Sequence, residues 1–359
     1  MPLRAVLLGY GLAGHVFHAP LIGAEPDIDV IAVVTANPER QDQVRQDLPG
    51  VTILDRVDEA WEQSADIAVI ATANSAHVPQ ATAALGAGLH VVVDKPLAGS
   101  AAQAQALIDL AHERDRQLHV FQNRRWDSEI LTARRAIEQG LIGTPHRLES
   151  RFERWRPTPK GGWREDGPPE DLPGLLYDLG AHLVDQALHL LGPVARVFAS
   201  ARTVRQDGPG TADDDTQVVL EHVSGAVSIL SVSSASAFIG PRLRLLGTGG
   251  GLLVDTLDTQ EDALRAGQNP RDAGWGKEAD DALVVVGTEP PRSLPRERGA
   301  WPTYYREVAR SIRGEGEPPV DPQDVVADLR VIEAARESAM SGKTVCLDPP
   351  AGHGRSSSA

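Results

Sequence analysis

The chain has 359 residues, 41% of them hydrophobic, and a formal net charge of −15. That length exceeds what one hydrophobic core usually serves, so two domains are expected. The acidic balance argues against binding nucleic-acid phosphates, and no apolar run approaches the roughly 20 residues that span a bilayer. A single cysteine, Cys346, rules out an intrachain disulfide and points to a reducing, cytoplasmic compartment. Aromatic residues make up only 4%, too few for a platform that stacks single strands.

The chain opens MPLRAVLLGYGLAGHVFHAP. Arg4 ahead of an apolar run from Ala5 to Ala13 also fits the start of a secretory leader. The next hundred residues favour a strand instead. AVLLGY leads into a helix-length stretch containing HVFHAPLIGAEP, and IDVIAVVT (28–35) is a second apolar strand. ADIAVIAT (65–72), LHVVVDKP (89–96) and LHVFQN (118–123) supply three more, separated by the helical patterns SAHVPQATAALGAG and SAAQAQALIDLAHERD (100–115), the latter with Ser100 as N-cap. Apolar strands alternating with helices predict a parallel sheet covered on both faces.

The pattern changes after about residue 124. SEILTARRAIEQG reads as a helix ending at Gly140. HRLESRFER, ARVFASARTV, TQVVLEHV, AVSILSVSSA, RLRLLGT and GLLVD then succeed one another as strands with short turns, a mostly antiparallel sheet. One helix, 175–192, interrupts them. A Pro-, Gly- and charge-rich stretch, 265–300, reads as a surface excursion. Asp321-Pro322 opens a last helix that Gly342 stops. The expected division is a Rossmann domain, 1–123, a second domain, 124–348, and a disordered tail, 349–359.

Three motifs carry the chemistry. Gly9, Gly11 and Gly14 spell G-x-G-x-x-G between strand and helix, where they permit a tight turn, close approach of a pyrophosphate and close packing of helix on strand. With Leu12 and Ala13 they form a phosphate-binding loop at a helix N-terminus. At the end of the second strand the acidic residue that would bind ribose hydroxyls is missing. Thr35 and Asn37 stand there with Arg40 nearby, a set that suits a 2′-phosphate. NADP(H) is therefore expected over NAD(H), although Arg40 also fits a solvated first-turn residue. The second motif, D-K-P, places Lys95 at the carboxyl end of the fourth strand, where an ammonium can stabilise a substrate oxyanion. In the third, Asp178, His182 and Asp185 fall at i, i+4 and i+7 on one helix face. A carboxylate beside an imidazole raises its pKa and orients it, which builds a general base. No third ligand has metal-binding spacing, so no metal is expected.

G-Y-G-L-A-G, ATANSAH, D-K-P and D-L-G-A-H, in this order across nearly the whole chain, resemble the Gfo/Idh/MocA oxidoreductases. GHVFHAPLI, QNRRWDSE, GGWRE and QEDALRAGQNPRDAGWG resemble the branch containing NADP-dependent scyllo-inositol dehydrogenases. The resemblance implies Lys95, Asp178 and His182 as catalytic residues. It implies Thr72, Asn74, His77 and Lys95 as additions to the cofactor set. Asn123, Arg124 and Trp163 are candidates for lining the substrate site. Asp94 stands where the family has Glu, Ala73 where many members have Pro, and Asn37 where related dehydrogenases carry Arg.

The resulting expectation is a cyclic polyol or sugar dehydrogenase, with the site between the domains. A homodimer or homotetramer would form through the second-domain sheet. Alternatives are an oxidoreductase for another sugar or sugar lactone, a glycosidase that redox-cycles bound NAD, and a non-catalytic nucleotide-binding regulator.

Overall fold

The computed structural model describes residues 1–348 except 160, 163, 164, 166, 169, 170 and 206–211. Trp163 and the expected tail, 349–359, lie outside the described residues. The first sheet holds β1 (Leu3–Leu8), β2 (Ile28–Val34), β3 (Thr52–Leu54), β4 (Ile67–Ile70), β5 (His90–Asp94) and β6 (Leu118–Phe121). All pair in parallel, in the order β3-β2-β1-β4-β5-β6. The inner strands are fully buried: Ala5 to Leu8, Ile67 to Ile70 and Val91 to Val93 are each at most 1% exposed. That explains why they read as continuous apolar runs without alternation. The chain that opens as a possible leader thus supplies the central strand of the sheet.

A widened π turn, Ala13–His18, runs into α1 (Ala19–Gly23) after β1. The sheet is further covered by α2 (Pro38–Asp47), α3 (Asn74–Gly86) and α4 (Ala101–Glu113). Asn37 caps α2 by accepting from Arg40 N at 3.1 Å, and Ser100 caps α4 by accepting from Gln103 N at 3.2 Å. The strand order reverses direction between β1 and β4, the switch point beyond whose carboxyl ends sheets of this kind bind ligands.

The second sheet comprises β7 (Pro145–Glu153), β8 (Val194–Arg202), β9 (Asp215–His222), β10 (Val227–Ser233), β11 (Leu243–Gly247), β12 (Gly250–Val254), β13 (Ala282–Val286), β14 (Arg292–Leu294) and β15 (Val345–Cys346). Its order is β14-β13-β12-β11-β7-β10-β9-β8-β15, antiparallel throughout except for the parallel pair β7–β10. With it come α5 (Ser128–Glu138), a second π turn (Leu176–Gly180) leading into α6 (Ala181–Leu191), α7 (Gln260–Arg265), α8 (Pro302–Ile312) and α9 (Pro322–Ser341). As the sequence indicates, Asp321 caps α9 and Gly342 ends it in the left-handed region at φ 68°.

Several elements escaped the sequence, among them β3, β13, β14 and α8. β3 is a three-residue edge strand, too short for periodicity to register. The stretch 265–300 is not a plain excursion: it contains β13 and β14, which extend the sheet from β12. The apolar ALVVV is diluted there by charged and proline-rich flanks. α8 carries Tyr304 and Tyr305, both fully buried, onto the first domain's core together with Trp301, Val325, Val326 and Leu329. Val331, Ile332, Ala334 and Ala335 of α9 join the second core. Packing therefore does not respect the division at 123: α8 lies on the first core, and α9 enters both.

Candidate active site

The glycine loop is shaped for close approach. Gly9 has φ 91°, and a Cβ there would sit 2.7 Å from Ala71 O. A Cβ at Gly14 would run into Gly9 O. Both positions are closed to any side chain, so loop, helix start and β4 pack at backbone distance. Gly11 opens outward instead, toward the Arg40 guanidinium, whose Nη1 would be 3.6 Å from a Cβ at that position. Leu12, 38% exposed, and Ala13 complete the loop. The first-turn N–H groups of a helix have no intrahelical acceptor. This cradle therefore fits the pyrophosphate of a dinucleotide. Tyr10 and His15 brace it against α2: Asp47 Oδ2 accepts from Tyr10 Oη at 3.1 Å and lies 3.2 Å from His15 Nε2.

At the end of β2, Thr35 is buried and Asn37 spends its side-chain oxygen on the α2 cap. Gln41 Nε2 spans Thr35 O at 2.9 Å and Asp55 Oδ1 at 2.7 Å. Arg40 is thus the positive group brought from α2 over the loop. Thr72 donates to Gln80 Oε1 at 2.7 Å. Asn74 faces the second domain, its Nδ2 donating to Asp171 O at 2.8 Å, while Ser75 N donates to Asp171 Oδ1 at 3.3 Å. His77 is 1% exposed, with Nδ1 2.8 Å from Pro96 O and Nε2 3.2 Å from Thr72 O. The expected direct contact from His77 to a cofactor gives way to a strut joining the β4 loop to the D-K-P turn.

Lys95 crosses the interdomain cleft. Its Nζ donates to Asp178 O at 2.7 Å and Asp178 Oδ1 at 3.0 Å. The expectation that Asp178 orients His182 and raises its pKa is overturned. His182 Nδ1 is buried without a hydrogen-bond partner among the described residues. Burial, reinforced by the positive charges of Lys95, Arg124 and Arg242, holds His182 well below the ordinary imidazole range. The i, i+4 spacing assumes an unbroken α-helix, whereas Asp178 lies in a π turn over Leu176–Gly180 and His182 in the α-helix that follows. Asp185, in regular α6, faces away and grips Arg125, with Nη2 to Oδ1 at 2.6 Å and Nε to Oδ1 at 3.0 Å.

Asn123 and Arg124 lie in a 3₁₀ turn beneath the site, both 7% exposed. Arg124 does not reach out as a free substrate donor. Its Nη1 pairs with Asp127 at 3.3 Å and its Nη2 with Glu261 at 2.5 Å, and the guanidinium lies 5.1 Å from the Phe152 ring centroid and 5.5 Å from that of Trp301. Gln260 accepts from Trp275 Nε1 and Trp301 N, and Trp301 Nε1 donates to Asp127 Oδ1 at 2.8 Å. The QNRRWDSE and QEDALRAG segments therefore form one buried clasp behind His182. Arg242, 3% exposed and bound to Ser150, Gln186 and Glu129, belongs to the same wall and was missed from sequence. Its signal was an arginine directly ahead of a strand whose inward residues are leucines. Among the described residues, no group of three or more His, Cys, Asp or Glu is placed to hold a metal ion. No helix among them is long and apolar enough to cross a membrane.

Two family profiles match the chain. One, an oxidoreductase-family NAD-binding Rossmann fold, covers residues 3–122, and the other, the C-terminal alpha/beta domain of the same family, covers 134–347. The chain belongs to the Gfo/Idh/MocA oxidoreductase family. It is 31% identical to the scyllo-inositol 2-dehydrogenase (NADP(+)) IolW of Bacillus subtilis, over 96% of each chain. It is 28% identical to a D-apiose dehydrogenase of Paraburkholderia graminis, over 79% of this chain and 73% of that one. A crystal structure of an oxidoreductase from Klebsiella pneumoniae superposes with a TM-score of 0.88 at 36% identity, covering 96% of this chain and 95% of that one. As a member of this family the protein is an oxidoreductase with an NAD-binding Rossmann domain, and dehydrogenases of polyols and sugars are among its relatives.

Proposed function

We propose that the protein interconverts a secondary alcohol of a cyclic polyol and its ketone, with scyllo-inositol and scyllo-inosose as the leading pair and NADP(H) as the preferred cofactor. The observation that carries the chemistry is the neutral, buried His182 beside the Lys95–Asp178 pair at the crevice. A nicotinamide dinucleotide, when bound, supplies the hydride acceptor or donor. Gly9, Gly11, Leu12, Ala13 and Gly14 would hold its pyrophosphate, and Arg40 its 2′-phosphate. In the oxidation direction His182, unprotonated at neutral pH, accepts the hydroxyl proton. Lys95 donates a hydrogen bond to the same oxygen, and Asp178 aims the ammonium.

The polyol assignment is supported by the full-length similarity to the NADP(+)-dependent inositol enzyme. The D-apiose relative makes a sugar the second candidate. A homo-oligomer through the second-domain sheet is supported by Phe198 on β8 and Leu283 on β13, 44% and 40% exposed. The test is a panel of inositols, inososes and aldoses followed by nicotinamide absorbance with each cofactor. Turnover of scyllo-inositol or scyllo-inosose is expected. Activity confined to aldoses, with no inositol or inosose responding, overturns the polyol assignment.

A further inference from the structure

Beneath the D-K-P turn lies a buried cluster that the proposed reaction does not use. His18, fully buried in the π turn after the glycine loop, has Nδ1 2.5 Å from Tyr305 Oη and its ring 4.3 Å from that of Phe121. Its Nε2 has no hydrogen-bond partner among the described residues and lies 4.0 Å from Asp94 Oδ1. The same Asp94 oxygen accepts from Lys95 N at 2.9 Å. Tyr304 and Tyr305 both feel the Asp94 charge. Burial holds His18 at a pKa of about 4, so the ring is neutral with one N–H. When Tyr305 donates to Nδ1, that N–H must sit on Nε2 and face the Asp94 carboxylate.

We propose that His18, with its tautomer fixed by Tyr305, is a positioning residue that holds Asp94 and, through the hydrogen bond that Asp94 Oδ1 accepts from Lys95 N, the turn from which Lys95 reaches Asp178. The groups facing His18 are Asp94, His77, Tyr305 and Phe121. At 4.0 Å the grip is electrostatic, and a carboxylate one methylene longer would have the reach for a direct hydrogen bond. The inference rests on the reading of Lys95 as a reaction-site residue, but it can be tested without any substrate.

The readout is the acylation rate of the Lys95 amine in the intact, cofactor-free protein, measured by mass spectrometry with exposed Lys277 and Lys343 as internal references. Tyr305→Phe and Asp94→Asn should each speed Lys95 labelling about fivefold, the equivalent of one lost hydrogen bond. The double variant should be no faster than the faster single, because both changes cut the same link. Multiplying effects would mark Tyr305 as merely structural and overturn the proposal, as would a Tyr305→Phe rate equal to wild type. Asp94→Glu leaves the aromatic cluster intact and should slow Lys95 labelling. An unchanged or faster rate in that variant overturns the proposal even if Tyr305→Phe fails to fold. An absence of turnover on inositols leaves all these rates where they are, so the two readings fail separately.

Discussion

At the residue scale, the site depends on keeping one imidazole neutral and one ammonium aimed. His182 loses its proton readily because burial removes water from the cation and because Lys95, Arg124 and Arg242 repel it. The acid limb of kcat/KM for alcohol oxidation should accordingly lie below pH 6.5, and a limb at or above that value would show that His182 is not the base. Lys95→Ala and His182→Ala should each lower turnover about 10²- to 10⁴-fold, while dinucleotide affinity, measured by fluorescence titration, stays near wild type. Full turnover in both variants would remove them from the reaction. Arg40 is the residue on which cofactor choice turns. Its guanidinium stands over Gly11, and a charge-assisted contact to a 2′-phosphate is worth about 1.5 to 3 kcal/mol. Arg40→Ala should raise KM for NADP(H) by one to two decades, by the same estimate, and leave KM for NAD(H) nearly unchanged. Equal losses with both cofactors would refute the assignment.

Among the elements, two π turns do the positioning, one after the glycine loop and one before α6. Each lies where a regular helix would place side chains differently: the first contains His18, and the second turns Asp178 to Lys95 while α6 keeps Asp185 on Arg125. The first π turn also brings Gly14 against the Gly9 carbonyl. Gly14→Ala would force that turn away from the strand. It should lower dinucleotide affinity at least tenfold and cost about 1 to 3 kcal/mol of stability, as overpacking in tight sites does. Calorimetric titration and urea unfolding would check it, and an alanine variant with wild-type affinity would show that the loop does not carry the pyrophosphate.

Across the molecule as a whole, two cores are joined by α9, and each holds buried titratable groups. His119 on β6 is held at about 3, by burial first and then by His90, so it folds as the neutral form. The unfolded chain takes up its proton near pH 6.5, so His119 withdraws stability as pH falls from 6.5 toward 3. Asp258 acts with the opposite sign. Its carboxyl is raised to about 7 by burial, so the folded state keeps a proton that the unfolded chain releases, and its contribution is lost as pH rises from about 4 to about 7. Comparing a variant with wild type isolates one group from this balance. His119→Leu should lose about 2 kcal/mol less stability than wild type between pH 7 and pH 5, measured by urea unfolding. An identical pH dependence would mean that His119 takes up its proton in the folded protein at the same pH as in the unfolded chain.

Linear order and residue type were enough to reveal the alternating strands and helices of the first domain, the glycine cradle, the lysine at the end of β5 and the change to an antiparallel sheet. These are set by local periodicity and by residues with special backbone freedom, which are legible one segment at a time. The missing carboxylate at the end of β2 was legible in the same way. Which charges meet was settled only by the folded chain. Asp178 binds Lys95, which reaches it from the end of β5, 83 residues earlier in the chain. Arg124 is spent on Asp127 and Glu261, the latter 137 residues further along the chain. His18 gains its partners from β5 and α8 only when the C-terminal helices fold back onto the first sheet. Pairings of buried polar groups depend on packing between distant segments, and no periodicity in the chain records them.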